Sequence, residues 1–341
     1  MKVDVLLDMQ APLDAVVPLV RGLEDAGVDG VWSSETAHDP LLPLAVAATG
    51  TASATLGTAI TVAFARSPMT LAYTANDIQQ ASAGRLVLGL GSQVRPHIAR
   101  RFSMPWGRPV PQMREYLGAL RAIWGAWNTG APLRFDGEYY RHTLMTPVFS
   151  PPPNPFGPPR IVLTAVGPAM TRLAGQAADG LILHPFSTER YLREVTLPAF
   201  LGGLELAGRP RAEVEVVTMG FVVVRRPGPD ADPRVDAVRR QIAFFGSSPA
   251  YRPVLDLHGW GALADELNRL SLSPDPARWD AMAGLVDDEV VSAFAVIGDL
   301  PTVARELNRR FRGVVDRIAL APDACADPSG LPLLVDAVHP G

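Results

Sequence analysis

Short runs of apolar residues alternate along most of the chain with longer segments in which apolar residues recur every three or four positions. Continuous apolar runs are typical of strands that are buried on both faces, and the longer spacing is typical of amphipathic helices. Val16, Leu19 and Leu23, for example, share one face of a predicted helix, and Gly27 is placed to end it. This alternation predicts repeated strand–helix units, which assemble into a parallel sheet.

The alternation can be followed through eight strands. The predicted strands are 3–7, 30–33, 55–62, 86–90, 160–164, 180–184, 214–224 and 316–320. The predicted helices are 14–26, 41–49, 69–83, 113–127, 169–177, 190–207 and 331–338. The segment 294–297 could be a further strand, and we place it before the last helix–strand pair. Eight strands with intervening helices favour an α/β fold of the TIM (β/α)8 barrel type, with a doubly wound open sheet as the alternative.

Two long segments interrupt this rhythm. Residues 130–159 are polar and rich in proline, and they precede the predicted fifth strand. Residues 233–293 are largely helical in pattern and follow the predicted seventh strand. Long segments of this kind often form lids or binding loops, so we expect them to shape a pocket. A chain of 341 residues fits one barrel domain over 1–341 that carries both insertions.

Charge and cysteine content narrow the function classes. The formal net charge is −4 and there is no long basic run, which argues against nucleic acid or an anionic membrane as a partner. Cys325 is the only cysteine, so we expect neither an intrachain disulfide nor a thiolate metal site. None of the six histidines has a partner at metal-binding spacing, so we expect no metal. With no apolar signal segment or run of ~18 apolar residues, we expect a cytoplasmic protein.

Candidate chemistry lies where the predicted strands end, because barrel enzymes place their active residues there. Asp8 follows the first strand, Glu35 and His38 follow the second, and His184 ends the sixth. Glu35 and His38 are the candidate catalytic pair, since histidine titrates near neutrality and a nearby carboxylate tunes it. The alternatives are that Glu35 caps a helix or pairs with an arginine, and that His38 lies in a surface loop. For His184, the alternative to a functional contact is a hydrogen-bonded wall residue.

The fifth predicted strand runs into the small-residue turn Ala165-Val166-Gly167-Pro168-Ala169-Met170. Pro168 occupies the position where a helix begins, and Gly167 leaves room for an anion to approach the backbone. Helix N-termini bind phosphate groups readily, so the turn predicts a phosphate site, and the alternative is an ordinary tight turn. The segment Gly89-Leu90-Gly91-Ser92-Gln93 has two glycines of a dinucleotide fingerprint and lacks the third at the required spacing.

Taken in order, several of these segments resemble the bacterial-luciferase-like monooxygenase superfamily and, within it, its deazaflavin-dependent oxidoreductases. The resemblance is carried by residues 57–68, 83–93 and 165–180, and by Gly137-Glu138-Tyr139-Tyr140. It implies a TIM barrel, a homodimer, and a non-prolyl cis peptide in a bulge of strand three, here at Ala59–Ile60. Sugar-phosphate dehydrogenases of this group place a histidine directly after an acidic residue, whereas here two residues separate Glu35 from His38.

The resemblance also implies a cofactor and a reaction. We expect coenzyme F420, with FMN as the alternative, and hydride transfer between the deazaflavin C5 carbon and a small organic or peptide natural-product substrate. An FMN-dependent monooxygenase and a non-catalytic cofactor-binding or partner protein are the competing hypotheses. The expected cofactor-binding residues are Asp8, Ala59, Ile60, Gly91, Ser92, Gln93, Ala165, Val166, Gly167, Pro168, Ala169, Met170 and His184.

Overall fold

A computed structural model describes residues 1–226 and 232–339. The strands are β1 (Lys2–Leu6), β2 (Gly30–Ser33), β3 (Thr55–Thr58), β4 (Thr61–Val62), β5 (Leu86–Gly91), β6 (Phe135–Asp136), β7 (Arg141–His142), β8 (Arg160–Ala165), β9 (Gly180–Leu183), β10 (Glu215–Thr218), β11 (Phe221–Val224), β12 (Ala295–Gly298) and β13 (Arg317–Leu320). The α-helices are α1 (Val16–Asp25), α2 (Leu41–Gly50), α3 (Pro68–Ala81), α4 (Pro109–Thr129), α5 (Pro168–Ala177), α6 (Glu189–Tyr191), α7 (Leu197–Leu206), α8 (Pro233–Gly246), α9 (Arg252–Leu257), α10 (Gly261–Ser271), α11 (Arg278–Gly284), α12 (Asp288–Phe294), α13 (Leu300–Phe311) and α14 (Gly330–Val338).

The central element is a closed parallel barrel. Its strands follow the order β3-β2-β1-β13-β10-β9-β8-β5-β4, and β3 also pairs with β5. Because β3 and β4 are two halves of the third barrel strand and both pair with β5, the ring closes without an edge strand. The predicted TIM (β/α)8 barrel is therefore confirmed, and the alternative of a doubly wound open sheet is wrong. None of the helices in the described residues combines the length and apolar character needed to cross a bilayer.

The predicted seventh strand, 214–224, is wrong in its second half. The barrel strand is β10 alone, and it ends at Thr218. After Met219 and Gly220 the chain continues as β11, which leaves the barrel and pairs in parallel with β12. The ambiguous segment 294–297 is thus a strand outside the barrel. All residues of β11 and all but the first of β10 are buried, so no polar position marks the break between them.

Both predicted insertions are present. The segment 130–159 contains a short antiparallel pair, β6 with β7, and a 3-10 turn at Pro147–Phe149. The helices α8 to α12 fill most of the segment 233–293, as predicted. Side chains of these helices pack with Phe186, Phe221 and Phe294 into an apolar cluster that is separate from the clusters of the barrel. The second insertion therefore brings its own small core to the barrel.

An ion pair is buried inside the barrel near the N-terminal ends of the strands. The Asp4 carboxylate accepts hydrogen bonds from Trp32 Nε1 at 2.7 Å and from Arg317 Nε and Nη2 at 2.7 Å each. All three side chains are buried. A charge this deep is tolerated only when it is paired and hydrogen-bonded, as it is here. The carboxylate thereby joins β1, β2 and β13 at the end of the barrel opposite the predicted site.

Candidate active site

The third barrel strand is interrupted where a bulge was predicted. Ala59–Ile60 is a non-proline cis peptide bond between β3 and β4, which confirms the expected position. The loop after β2 is hydrogen-bonded to this bulge. Ser34 Oγ donates to the Ala59 carbonyl at 2.9 Å, and the Glu35 amide donates to the Ile60 carbonyl at 3.2 Å. The bulge and the loop that carries the candidate catalytic residues therefore form one connected unit.

On its other side, the bulge is held against β5. Thr58 Oγ1 donates to the Gly89 carbonyl at 2.7 Å and accepts from the Gly89 amide at 2.9 Å. A Cβ atom at Gly89 would lie 1.8 Å from the Thr58 carbonyl oxygen, so no larger residue fits there without moving the backbone. This glycine is required by the approach of two strands and has a structural role.

Gly91 marks the point where three predicted cofactor segments meet. A Cβ atom built there would lie 2.8 Å from Ile60 Cδ1 and 2.9 Å from Thr164 Cγ2. The bulge and the end of β8 both lie against the end of β5 at the C-terminal mouth of the barrel. That these segments bind one cofactor stays a prediction.

The turn after β5 is held in shape by its own side chains. Ser92 Oγ donates to the Gln93 carbonyl at 3.1 Å, and Gln93 Oε1 accepts from the Val94 amide at 3.0 Å. Gln93 has a φ of 58°, in the left-handed region that non-glycine residues adopt uncommonly. Both residues are partly exposed.

The turn after β8 begins helix α5, as predicted. Gly167 is the N-cap residue, Pro168 follows at the first helical position, and no side chain caps the helix. No atom lies within 4 Å of a Cβ built at Gly167, and Ala169 is exposed beside it. The amides of Gly167, Ala169 and Met170 donate no hydrogen bond to another described residue. Unpaired amides, open space and the positive end of a helix dipole are features that favour an anion, and the phosphate site at this turn stays a prediction. Ala165, buried, and Val166, partly buried, lead into it.

Glu35 is fixed by an arginine, which confirms one of the alternatives considered for it. Arg66 Nη1 donates to Glu35 Oε2 at 2.7 Å, and the Val62 amide donates to the same oxygen at 2.7 Å. Arg66 Nη2 donates to Asp39 Oδ2 at 2.7 Å, and Asp39 Oδ1 accepts from the Leu41 amide at 2.8 Å. The Glu35 side chain is only 5% exposed. Arg66 therefore joins both ends of the loop after β2 to the end of the third barrel strand.

His38 lies between these two anchored carboxylates but contacts neither through a hydrogen bond. It is exposed and forms no hydrogen bond with another described residue. It lines a cavity that Asp8 also lines, whereas Glu35 does not. Asp8 is exposed, and its Oδ1 accepts from the Gln10 amide at 2.9 Å. The Glu35 carboxylate is thus held in place, whereas His38 has no hydrogen-bond partner among the described residues. A catalytic role for either residue stays a prediction.

His184 has both ring nitrogens engaged. Nδ1 accepts from the Phe186 amide at 3.0 Å, and Nε2 lies 3.0 Å from Tyr251 Oη. The ring stacks on Tyr251 and meets the edge of Phe245. Burial lowers the pKa of His184 from 6.5 to about 4, so the ring is neutral near pH 7. These contacts are those of the wall residue considered as the alternative, and its predicted contact with a cofactor stays untested.

Two side chains that bind the candidate site residues could not be identified from the sequence. Nothing in the sequence links Arg66 to Glu35 or Asp39, which lie 31 and 27 positions earlier. Tyr251, the partner of His184, is 67 positions away in the second insertion. No group of three or more His, Cys, Asp or Glu side chains in the described parts of the chain is placed to hold a metal ion.

The chain matches one family model and several known proteins over most of its length. The family model of luciferase-like monooxygenases matches residues 2–317. An uncharacterized protein of Mycobacterium tuberculosis is 51% identical over 305 residues, which cover 89% of this chain and 88% of that protein. The 5,10-methylenetetrahydromethanopterin reductase of Archaeoglobus fulgidus is 27% identical over 313 residues, with coverage of 89% and 88%.

A solved structure repeats the fold. The coenzyme F420-dependent tetrahydromethanopterin reductase of Methanopyrus kandleri superposes with a TM-score of 0.80 at 19% identity. The match covers 99% of this chain and 98% of that structure. At this level of identity the match shows a common fold.

Proposed function

Because the chain belongs to the luciferase-like monooxygenase family, we propose that it is an oxidoreductase whose cofactor is coenzyme F420. One observation supports a flavin-like cofactor: the side chains of Ile60 and Thr164 both lie against Gly91 at the barrel mouth. The choice of F420 over FMN is supported by the relatives. One is a methylenetetrahydromethanopterin reductase, and the superposed reductase is described as F420-dependent. The substrate that we propose is a small organic or peptide natural product.

The residues present fit such a group. The open turn at Gly167, with its unpaired amides, would hold the phosphate, and the bulge at Ala59–Ile60 would support the deazaflavin ring. Gly91 has no side chain, which allows Ile60 and Thr164 to pack against the end of β5 between the bulge and the turn. When bound, F420 supplies a hydride carrier at its C5 carbon, and the protein supplies orientation and electrostatics.

The chain's own contribution to proton movement is assigned to His38. Its ring nitrogens are not used by other described residues, so one of them can hold the proton that accompanies a hydride. Glu35 is proposed as a positioning residue, because its carboxylate is already bound by Arg66 and the Val62 amide. In this arrangement Arg66 keeps the loop that carries His38 attached to the bulge.

The direct experiment is a comparison of cofactors. Purified protein is titrated with reduced F420 and with reduced FMN, and each dissociation constant is measured by fluorescence. We expect micromolar or tighter binding of F420 and much weaker binding of FMN. Micromolar FMN binding with none of F420 would reject the cofactor assignment. Rapid consumption of reduced FMN in air would then favour the FMN-dependent monooxygenase. F420 binding with no turnover of a broad substrate panel would favour a non-catalytic cofactor-binding protein.

A further inference from the structure

An apolar cavity lies between the segment that follows β1 and the start of α2. We call it the β1–β2 cavity. Its lining residues are Leu7, Asp8, Met9, Gln10, Ala11, Pro12, Leu13, Val16, Leu19, His38, Asp39, Leu42 and Pro43. Its volume is about 340 Å³, near the lower end of the roughly 300–1,000 Å³ that is typical of small-molecule sites. The cavity is therefore of a size to bind one small molecule.

The burial of its walls is graded. Leu7 and Val16 are 7% and 4% exposed and form the floor. Leu13, Leu19 and Leu42 are 45%, 41% and 54% exposed and form the rim. Single exposed leucines are ordinary on a protein surface, but here three of them border one concavity. An apolar molecule in the cavity would cover surface that the fold itself leaves in water.

The charges around the cavity select against anions. Among the described residues that line it, none is a lysine or an arginine. The Asp39 carboxylate shares the Arg66 cation with Glu35, so one negative charge of the two is left uncompensated. Among the described residues, the Asp8 carboxylate accepts only a hydrogen bond from the Gln10 amide. A phosphate or carboxylate in the cavity would therefore lose water and face an uncompensated like charge. An uncharged molecule meets neither cost.

The cavity is connected to the candidate active site through the chain. Ser34 and Glu35 are hydrogen-bonded to the bulge, and Asp39 is held by the same arginine that holds Glu35. His38 lies between these anchored positions and contributes to the cavity wall. A molecule in the cavity would thus have the proposed proton-handling side chain at its edge.

We propose that the β1–β2 cavity binds an uncharged, apolar part of the substrate and that His38 lies beside its polar end. The assignment to a substrate rests on the proposed oxidoreductase function and deepens it, since it names the substrate class. It excludes a phosphate on the part of the substrate that enters the cavity, because no cationic side chain lines the cavity to compensate its charge.

Binding is tested with 1-butanol, 1-hexanol and 1-octanol as probes and with hexanoate as the anionic match to hexanol. Dissociation constants are obtained from the chemical shifts of leucine and valine methyl groups in the full chain without cofactor. Burial of each added methylene predicts about a fourfold gain in affinity along the alcohol series. We expect hexanoate to bind at least about tenfold more weakly than hexanol.

Two variants locate the site. Leu42 is the second residue of α2, so Leu42→Asp places a carboxylate on the rim at a position where a helix favours negative charge. Leu333→Asp is the matched control, because Leu333 is 59% exposed near the start of α14 and does not line the cavity. We expect hexanol affinity to fall at least about tenfold in Leu42→Asp and to stay within about twofold in Leu333→Asp.

Three outcomes overturn the proposal: no saturable binding of the alcohols, equal binding of hexanoate, or equal effects of the two variants. If Leu42→Asp converts a dimer into monomers while alcohol binding is absent, the cavity is part of a subunit interface and the proposal is also wrong. F420 affinity is measured on the same samples. Alcohol binding without F420 binding would reject the F420 assignment and leave the apolar site standing. F420 binding without alcohol binding would reject the apolar site alone.

Discussion

His184 makes the stability of the protein depend on pH in the acidic range. Its Nδ1 accepts a hydrogen bond from the Phe186 amide, and its Nε2 faces Tyr251 Oη, so the neutral ring fits both partners. Protonation would place a second N–H against the Phe186 amide and a charge among aromatic rings. Burial accordingly lowers the pKa of His184 in the folded protein to about 4.

The size of this pH dependence follows from the difference in the pKa of His184 between the folded and the unfolded protein. The pKa of His184 is about 4 in the folded protein and ordinarily 6.5, a difference that corresponds to about 3.5 kcal/mol. Between pH 6.5 and 4 the unfolded chain binds a proton that the folded protein does not bind. The contribution is therefore fully present well above pH 6.5 and is reduced by about 3 kcal/mol at pH 4. The loss reaches at most about 3.5 kcal/mol once the folded protein is protonated as well.

The assay is urea unfolding at pH 7.5 and pH 4.5, for the wild type and for His184→Phe combined with Tyr251→Phe. The double variant removes the titratable ring together with the Tyr251 hydroxyl. Only the Phe186 amide loses its acceptor, and the cost of that loss does not depend on pH. Tyr251→Phe alone, which retains the histidine, is the control. We expect the wild type to lose about 2–3 kcal/mol more unfolding free energy on acidification than the double variant does. Equal losses in the two proteins would refute this assignment of the pH dependence.

Four further predictions concern residues at or next to the candidate site. Arg66→Met leaves Glu35 buried without its cation, so urea unfolding should show a loss of about 3–5 kcal/mol, and a smaller loss in Arg66→Lys would be expected. Gly89→Ala sets a Cβ atom against the Thr58 carbonyl and should prevent folding. Gly91→Ala meets only side chains and should fold but bind F420 more weakly, which circular dichroism and titration would check. His38→Ala should lower kcat by roughly 10²–10⁴-fold while F420 affinity stays within about twofold; an unchanged kcat would contradict the proposed proton role.

The barrel could be predicted from sequence because its helices and strands differ in the spacing of apolar residues. The seventh strand could not be divided, because β10 and β11 are both buried and hydrophobicity does not reveal that the second one has left the barrel. The same ambiguity affected 294–297, which pairs with β11 rather than with a barrel strand. Burial is visible in a sequence, but the neighbour against which a strand is buried is not.

The candidate site likewise combines features that the sequence predicts with contacts that it does not predict. The position of the turn that begins α5 at Gly167 follows from a local motif, and that of the cis peptide at Ala59–Ile60 follows from the family resemblance. The engagement of Glu35 by Arg66 and of His184 by Tyr251 depends on contacts between residues far apart in the chain. The rim leucines of the β1–β2 cavity likewise look like ordinary residues of helix faces until the fold brings them around one concavity.

The central claim is that the turn at Gly167 holds the phosphate of coenzyme F420. Gly167 is the N-cap of α5 in extended conformation, so Asp and Asn both fit there and both favour the helix. The two side chains are nearly equal in size and differ in charge. The measurement is therefore the dissociation constant of F420 for Gly167→Asp and for Gly167→Asn, with thermal stability recorded on the same samples. We predict binding at least about tenfold weaker in the Asp variant than in the Asn variant, with stability retained in both. Equal affinities in two folded variants would contradict the claim.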